Sequence, residues 1–246
     1  MRCFLEVELT ELIYQTDSYV REFEAAVSAH DSENNAVILN RTAFYPGGGG
    51  QPADRGMLVL DGTTYPITRA RKAGEHVLHL IEGALPPVGA SVQGQLDWDH
   101  RYKLMRTHTA MHILCAVAWR DYGVQVTGSD MESLKGRMDF EFEDMRQELV
   151  QEIERKINAE VQAARETRVA ILPREEAFKI PDLIRTKINL LPEGITQVRT
   201  LEIIGLDLQA DGGTHVHNTK EVGNLRVVDY KSKGKINKRV YFEVED

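Results

Sequence analysis

The stretch DHRYKLMRTHTAMHILCAVA, residues 99–118, decides how the chain is organised. Leu104, Met105, His108, Met111, His112 and Cys115 recur at intervals of three and four, the period of one face of an α-helix. His108 and His112 stand four residues apart, so their imidazoles project from one side, a turn apart. Two ring nitrogens so placed can reach one ion. The glutamate that follows the first histidine in the metalloprotease motif is absent here, where Thr109 stands, and this disfavours that peptidase chemistry.

Before this helix the pattern is one of strands and turns. Cys3–Leu9, Ala36–Leu39, Met57–Leu60, Thr64–Ile67, His76–Ile81 and Ser91–Leu96 read as strands, with Thr42–Tyr45 a further extended candidate and Asp61-Gly62 a hairpin turn. Ser18–Ala29 reads as a short helix capped by Asp17 or Ser18, from the spacing of Tyr19, Phe23, Ala26 and Val27. Short strands punctuated by Gly and Pro suggest a small β-barrel over residues 1–96. After it, a strand around Met138–Phe142 precedes a long amphipathic helix over Met145–Arg165, with Leu149, Ile153, Ile157 and Val161 at every fourth position. Thr196–Ile204, Asn224–Tyr230 and Val240–Val244 are further strands, which makes residues 97–246 an α+β domain.

Composition narrows the function. The two cysteines, Cys3 and Cys115, form neither a disulfide framework nor a Cys-x-x-Cys pair, and Cys115 reads as a core thiol. The chain has no apolar run long enough to span a membrane and no leader pattern at Met1–Glu8, so cytoplasmic residence is expected. A net charge of −8 argues against a protein that grips long nucleic acid by charge alone. Lys231, Lys233, Lys235, Lys238 and Arg239, with no acidic residue among them, nonetheless form a local basic edge.

Two glycine-rich segments carry the remaining chemistry. In Asp211-Gly212-Gly213-Thr214-His215 an aspartate and a histidine stand four apart in a tight turn. With His108 and His112 they can complete a tetrahedral zinc site; alternatively the three histidines bind the ion and Asp211 orients a water. His217 is a weaker candidate ligand two residues on. Gly47-Gly48-Gly49-Gly50-Gln51-Pro52 lacks the lysine and hydroxyl of a phosphate-binding loop, and four adjacent glycines suit close backbone approach to a ligand. Thr127, Ser129 and Gln125 offer polar groups near these motifs.

Taken in order, Phe44-Tyr45-Pro46 with Gly48–Pro52, Asp99-His100-Arg101 leading to Arg106–His112, Thr127-Gly128-Ser129, Arg137–Phe140 and Asp211–His215 resemble the free-standing alanyl-tRNA editing proteins of the medium-length, two-domain type. These are related to the editing domain of alanyl-tRNA synthetase, and the likeness covers nearly the whole chain. The resemblance implies a zinc-dependent aminoacyl-tRNA deacylase, with one zinc ion per chain, that removes serine and also glycine from mischarged alanine tRNA. It implies zinc ligands at His108, His112, Asp211 and His215; beside them Thr127 is expected at the catalytic centre, its hydroxyl near the motif core and available to the substrate's amino group or hydroxyl. Gly48, Gly49, Gly50, Gln51, Gln125 and Ser129 are then expected near the aminoacyl end. Arg101, Lys103, Arg106 and the five basic residues from Lys231 to Arg239 are expected on acceptor-stem phosphates. Such proteins commonly have cysteine where Asp211 stands, which leaves the fourth ligand open. No ATP and no membrane partner are expected, and a monomer is favoured. The related threonyl-tRNA synthetase editing domain fits the Phe44–Gln51 segment less well. A zinc hydrolase of small esters or amides, or a catalytically silent tRNA-binding protein, are the alternative readings.

Overall fold

The computed structural model describes residues 8–186 and 194–245. The chain forms two compact units, one of Met1–Gly48 with Pro52–Arg101, the other of Gly49–Gln51 with Tyr102–Asp246. Each has its own core.

The first unit is a barrel. Its wall closes through β2 (Glu22–Asp31), β3 (Ala36–Leu39), β7 (His76–Ile81), β6 (Thr63–Ala73), β5 (Gly56–Leu60) and β8 (Ser91–Leu96). Two short strands, β1 (Glu11–Leu12) and β4 (Arg41–Thr42), pair in parallel beside it. The segment that reads as a helix, Ser18–Ala29, is instead largely β2. Phe23, Ala25 and Val27 alternate inward, and this period of two overrides the coincidental helical spacing of Tyr19, Phe23 and Ala26. Phe23 lies over its paired neighbour Gly94, where any side chain would strike its ring. Of the strand expected over Cys3–Leu9, residues 3–7 lie outside the described residues, and Glu8 and Leu9 are irregular.

Inside the barrel, Phe44, Leu58, Ile67, Val77 and Val92 fill one cluster with Phe23 and Val27. His79 is buried among them with its Nδ1 on the Val37 carbonyl at 3.2 Å and its Nε2 on the Thr42 hydroxyl at 2.8 Å. Both ring nitrogens are therefore satisfied by a neutral imidazole, with Nδ1–H donating and Nε2 accepting.

Arg101 closes the base of the same unit. It is fully buried; its Nε reaches both Asp54 carboxylate oxygens at 3.0 Å, its Nη1 donates to the Ser18 carbonyl at 2.9 Å, and its Nη2 to the Ala43 carbonyl and Asp54. Asp54 also accepts the Tyr45 N–H at 2.6 Å. The ion pair thus pins the Phe44–Tyr45–Pro46 segment. Arg101, expected on RNA phosphate, has no surface to offer; its charge is spent on Asp54.

The second unit is built on α1 (Trp98–Tyr122), whose first turn belongs to the barrel unit. Its sequence predicts one apolar face, yet every residue from Leu104 to Ala118 is buried, and the helix is the interior element of this unit. Antiparallel strands β9 (Val126–Glu132) and β10 (Lys135–Phe140) pair with β15 (Lys238–Glu245) and β14 (Asn224–Ser232) in the order β14-β15-β10-β9. A second sheet joins β11 (Thr167–Pro173), β12 (Gln197–Ile203) and β13 (Asp207–Ala210), with one-turn α3 (Arg174–Ala177) following β11. Helix α2 (Gln147–Gln162) lies along the edge strand β14. There the Asn158 amide exchanges two hydrogen bonds with Leu225, and Glu154 accepts the Val227 N–H at 2.6 Å. Side chains of the helix thereby satisfy an edge that would otherwise present unpaired amides.

Two outcomes test these interiors. Burial holds the His79 imidazolium equilibrium down, at about 4 against an ordinary 6.5. Between those values the unfolded chain takes up a proton that the folded barrel refuses, so stability is lost as pH falls from 6.5 to 4 and changes no further from this group below that. The loss is about 3 kcal/mol, read as weaker hydrogen-exchange protection of Val37 and Leu39, and His79→Gln flattens the slope. Separately, Arg101→Leu strands the Asp54 carboxylate without its partner and costs about 3–5 kcal/mol in urea unfolding.

Candidate metal centre

Four side chains converge within the second unit. His108 and His112 come from α1; Asp211 and His215 come from the turn after β13. Their potential ligand atoms all lie within 4.8 Å of one another. His108 Nε2 and His112 Nε2 are 3.4 and 3.7 Å from Asp211 Oδ1, and His215 Nε2 is 2.8 Å from Oδ2. Ligand atoms about a tetrahedral ion with bonds near 2.0–2.1 Å stand roughly 3.3 Å apart. The donor set therefore fits a divalent metal of zinc's size. The outward ring nitrogens are also occupied: His108 Nδ1 meets Gln51 Oε1 at 2.9 Å, and His215 Nδ1 meets Thr109 Oγ1 at 3.2 Å. Such partners orient imidazole ligands.

The protonation states suit that task. Burial pushes the pKa of His108 well below the ordinary histidine value, and that of His215 down to about 4, so both rings are neutral near pH 7 with a lone pair to give. Burial opposes ionisation of Asp211, but the imidazoles of His108, His215 and His112 outweigh it and hold the carboxyl well below its usual range. Asp211 Oδ2 also accepts the Gly213 N–H at 2.7 Å, and Arg199 binds the Asp211 carbonyl at 3.0 Å. The outcome is an ionised, buried carboxylate facing three imidazoles.

The cluster opens onto a cavity of about 220 Å³, also lined by Gly49, Met111, Cys115, Ser129, Met138 and the Leu183–Thr186 segment. Cys115 is no nucleophile there: burial raises its pKa to about 12, and its Sγ lies 3.8 Å from Gln209 Oε1. Gly49 and Ser129 thus line this cavity, and Gly50 approaches the Ser129 hydroxyl. Gly48 belongs to the barrel unit, its carbonyl accepting the Tyr45 hydroxyl at 3.0 Å.

Several expected residues stand elsewhere. Thr127 is exposed, with its hydroxyl on Asn237 at 3.0 Å, and lies outside the cavity lining. The register explains why: Gly128 pairs with Asp139 but Val126 with Phe140, so Thr127 is the extra residue of a β-bulge and turns outward. The Thr-Gly-Ser sequence, which looks like turn chemistry, is a strand. Gln125 precedes that strand half-buried and is not part of the lining. Gln51 is buried, with both ends of its amide engaged by protein, and has no face for substrate. His217 is exposed and outside the four-residue group.

The basic candidates divide in the same way. Arg106 is buried, donating to the Val222 and Glu245 carbonyls at 3.0 and 3.1 Å. Lys238 is buried with its Nζ on the Gly234 and Lys235 carbonyls, and Arg239 forms a two-pronged pair with Asp139 at 2.6 and 2.7 Å. Each of the three is tied to protein acceptors that a phosphate would have to displace, Arg106 and Lys238 buried and Arg239 half-buried. Lys231, Lys233 and Lys235 are exposed at the β14–β15 hairpin, Lys231 within 3.0 Å of Asp229; Lys103 is half-buried on α1.

Comparison with known proteins accords with this geometry. Residues 3–100 match the family model described as tRNA synthetases class II (A), and residues 198–241 match the threonyl and alanyl tRNA synthetase second additional domain. The alanyl-tRNA editing protein AlaX-M of Saccharolobus solfataricus is 42% identical over 96% of this chain and 100% of its own length. The chain belongs to the alanyl-tRNA editing family. Within that family the AlaX-M protein of Methanosarcina mazei is 36% identical over 97% of this chain and 98% of its own. The alanine–tRNA ligase of Pyrobaculum neutrophilum is 36% identical over 88% of this chain, which corresponds to 25% of the ligase. Among the described residues no helix is long and apolar enough to cross a membrane.

Thr109, Arg199 and Gly213 support the centre without having been singled out from sequence. Thr109 and Gly213 lie within motifs quoted there, the latter as one of two adjacent glycines, whereas Arg199 lies in none. A Cβ at Gly213 would run into the His108 ring and the Gln51 carbonyl. Gly213→Ala therefore displaces His108, costs about 1–3 kcal/mol in stability, and lowers zinc uptake measured by metal analysis after dialysis. Gly212→Ala, with open space around its Cβ, leaves uptake intact.

Proposed function

We propose that this chain is a zinc-dependent deacylase that hydrolyses the ester between a wrongly attached amino acid and the terminal ribose of alanine tRNA. The observation that carries the reading is the convergence of His108, His112, Asp211 and His215 on one cavity, in a chain of this family. One zinc ion would be held by the three imidazoles with Asp211 as fourth ligand. Bound there, zinc supplies Lewis acidity to ester hydrolysis.

The protein's own groups do the rest. The Nε2 atoms of the three rings face Asp211, which would offset part of the ion's charge. The cavity admits a small amino acid: Met111 and Met138 limit its size, while the Ser129 hydroxyl and the Gly49 backbone provide polar contacts. A site that hydrogen-bonds the substrate hydroxyl favours serine over alanine far more than size exclusion alone can. Glycine, with no side chain, leaves those polar contacts to water, whereas the alanyl methyl covers them unbonded. Lys103, Lys231, Lys233 and Lys235 meet acceptor-stem phosphates, which position the tRNA without reading its sequence. Water adds to the carbonyl, the ester C–O bond breaks, and free amino acid and uncharged tRNA leave.

Deacylation of seryl-, glycyl- and alanyl-tRNA(Ala) tests this. The seryl ester is lost fastest, the glycyl ester next, and the alanyl ester persists. His108→Ala brings all three to background while its circular dichroism stays that of the parent. Undiminished turnover after exhaustive chelation, or no activity on any charged tRNA, would refute the reading.

A further inference from the structure

We infer that Gln51 is a positioning residue of the metal centre, whose side-chain amide fixes the tautomer of His108 and ties the Gly213–His215 turn to helix α1. The inference rests on the reading above, in that the four converging groups hold zinc.

Gln51 Oε1 lies 2.9 Å from the Thr214 main-chain nitrogen and 2.9 Å from His108 Nδ1, while Nε2 lies 2.8 Å from Thr214 Oγ1. A main-chain N–H can only donate, so the amide atom facing Thr214 N is the oxygen. An oxygen there can only accept, so His108 Nδ1 carries the proton. The lone pair is left on Nε2, the atom turned toward Asp211 and the metal position. The tautomer thus follows from a backbone group with no freedom to flip.

The same oxygen accepts from both metal-bearing segments, α1 and the turn. It is a bracket between ligands that the sequence separates by about a hundred residues. At 3% exposure the side chain has nothing left for substrate. This also gives the glycine-rich segment a second task. Gly49 and Gly50 have φ of +58° and +90°, a backbone that side-chain-bearing residues rarely adopt, and they lead directly into Gln51. Beyond lining the cavity, the segment delivers an amide to the back of a metal ligand.

Two substitutions separate this role from packing. Gln51→Glu keeps an oxygen facing both donors, and the Thr214 hydroxyl can turn to donate to the other one. Gln51→Met preserves length and removes all three hydrogen bonds. The readouts are zinc affinity by competition with a chromogenic chelator, and the His108 ring state by 15N NMR of the zinc-free protein. Gln51→Met should weaken zinc roughly 10- to 100-fold, with Gln51→Glu staying within about threefold of the parent or binding tighter. The parent should show a single His108 tautomer protonated at Nδ1, and Gln51→Met a mixture. Parental affinity in Gln51→Met, equal weakening in both variants, or a parent protonated at Nε2 would overturn the inference. A parent that binds zinc yet cleaves no charged tRNA would defeat the editing reading alone. A parent that takes up no zinc would defeat the metal reading and leave the NMR comparison to decide the role of Gln51.

Discussion

A carboxylate removed from water must be answered by donors or by cations, and much of the second unit is arranged to answer one. Asp211 sits with its oxygens among His108, His112 and His215, accepts the Gly213 N–H, and has Arg199 on its main-chain carbonyl. Those groups arrive from a helix, a glycine turn and the middle strand of a sheet. Their meeting fixes α1 at the centre, demands a residue without a side chain at Gly213, and requires outward partners for the rings. The lowered pKa values of His108 and His215 beside an ionised acid suit a site that holds a divalent cation.

Much of this architecture was legible in the chain. The barrel strands β3, β5, β7 and β8 follow from short apolar runs between glycine turns, and α1 follows from its spacing. Local pattern failed where two periods overlapped or where tertiary contacts set the structure. In β2, alanines satisfied a helical and an alternating reading equally, and only the barrel interior chose between them. Strands β9 and β13 are polar and stabilised chiefly by their neighbours, so nothing local announced them.

For the site, residue type proved more legible than direction. The four metal-bearing positions were readable because histidine spacing on a helix and an Asp-Gly-Gly-x-His turn are local signatures. Burial of charged residues was not. Arg101, Arg106 and Arg239 look like surface cations in sequence, yet each is committed to acceptors contributed by segments far away along the chain. The same blindness applies to Gln51, whose partners are in sequence distant and in space adjacent. Polar residues near a functional motif are as readily scaffolding for it as contacts for its ligand.

The bulge at Thr127 has a consequence for how the fold tolerates change. Strict alternation would put Val126 and Ser129 on opposite faces of β9, yet both line the cavity. One supernumerary residue resets the phase, so residues on both sides of the bulge face the same cavity. Removing that residue would act as a frameshift in three dimensions: the hydroxyl of Ser129 would leave the cavity although no cavity-lining residue had been altered. Length at this position, more than identity, is what descent with modification has to preserve.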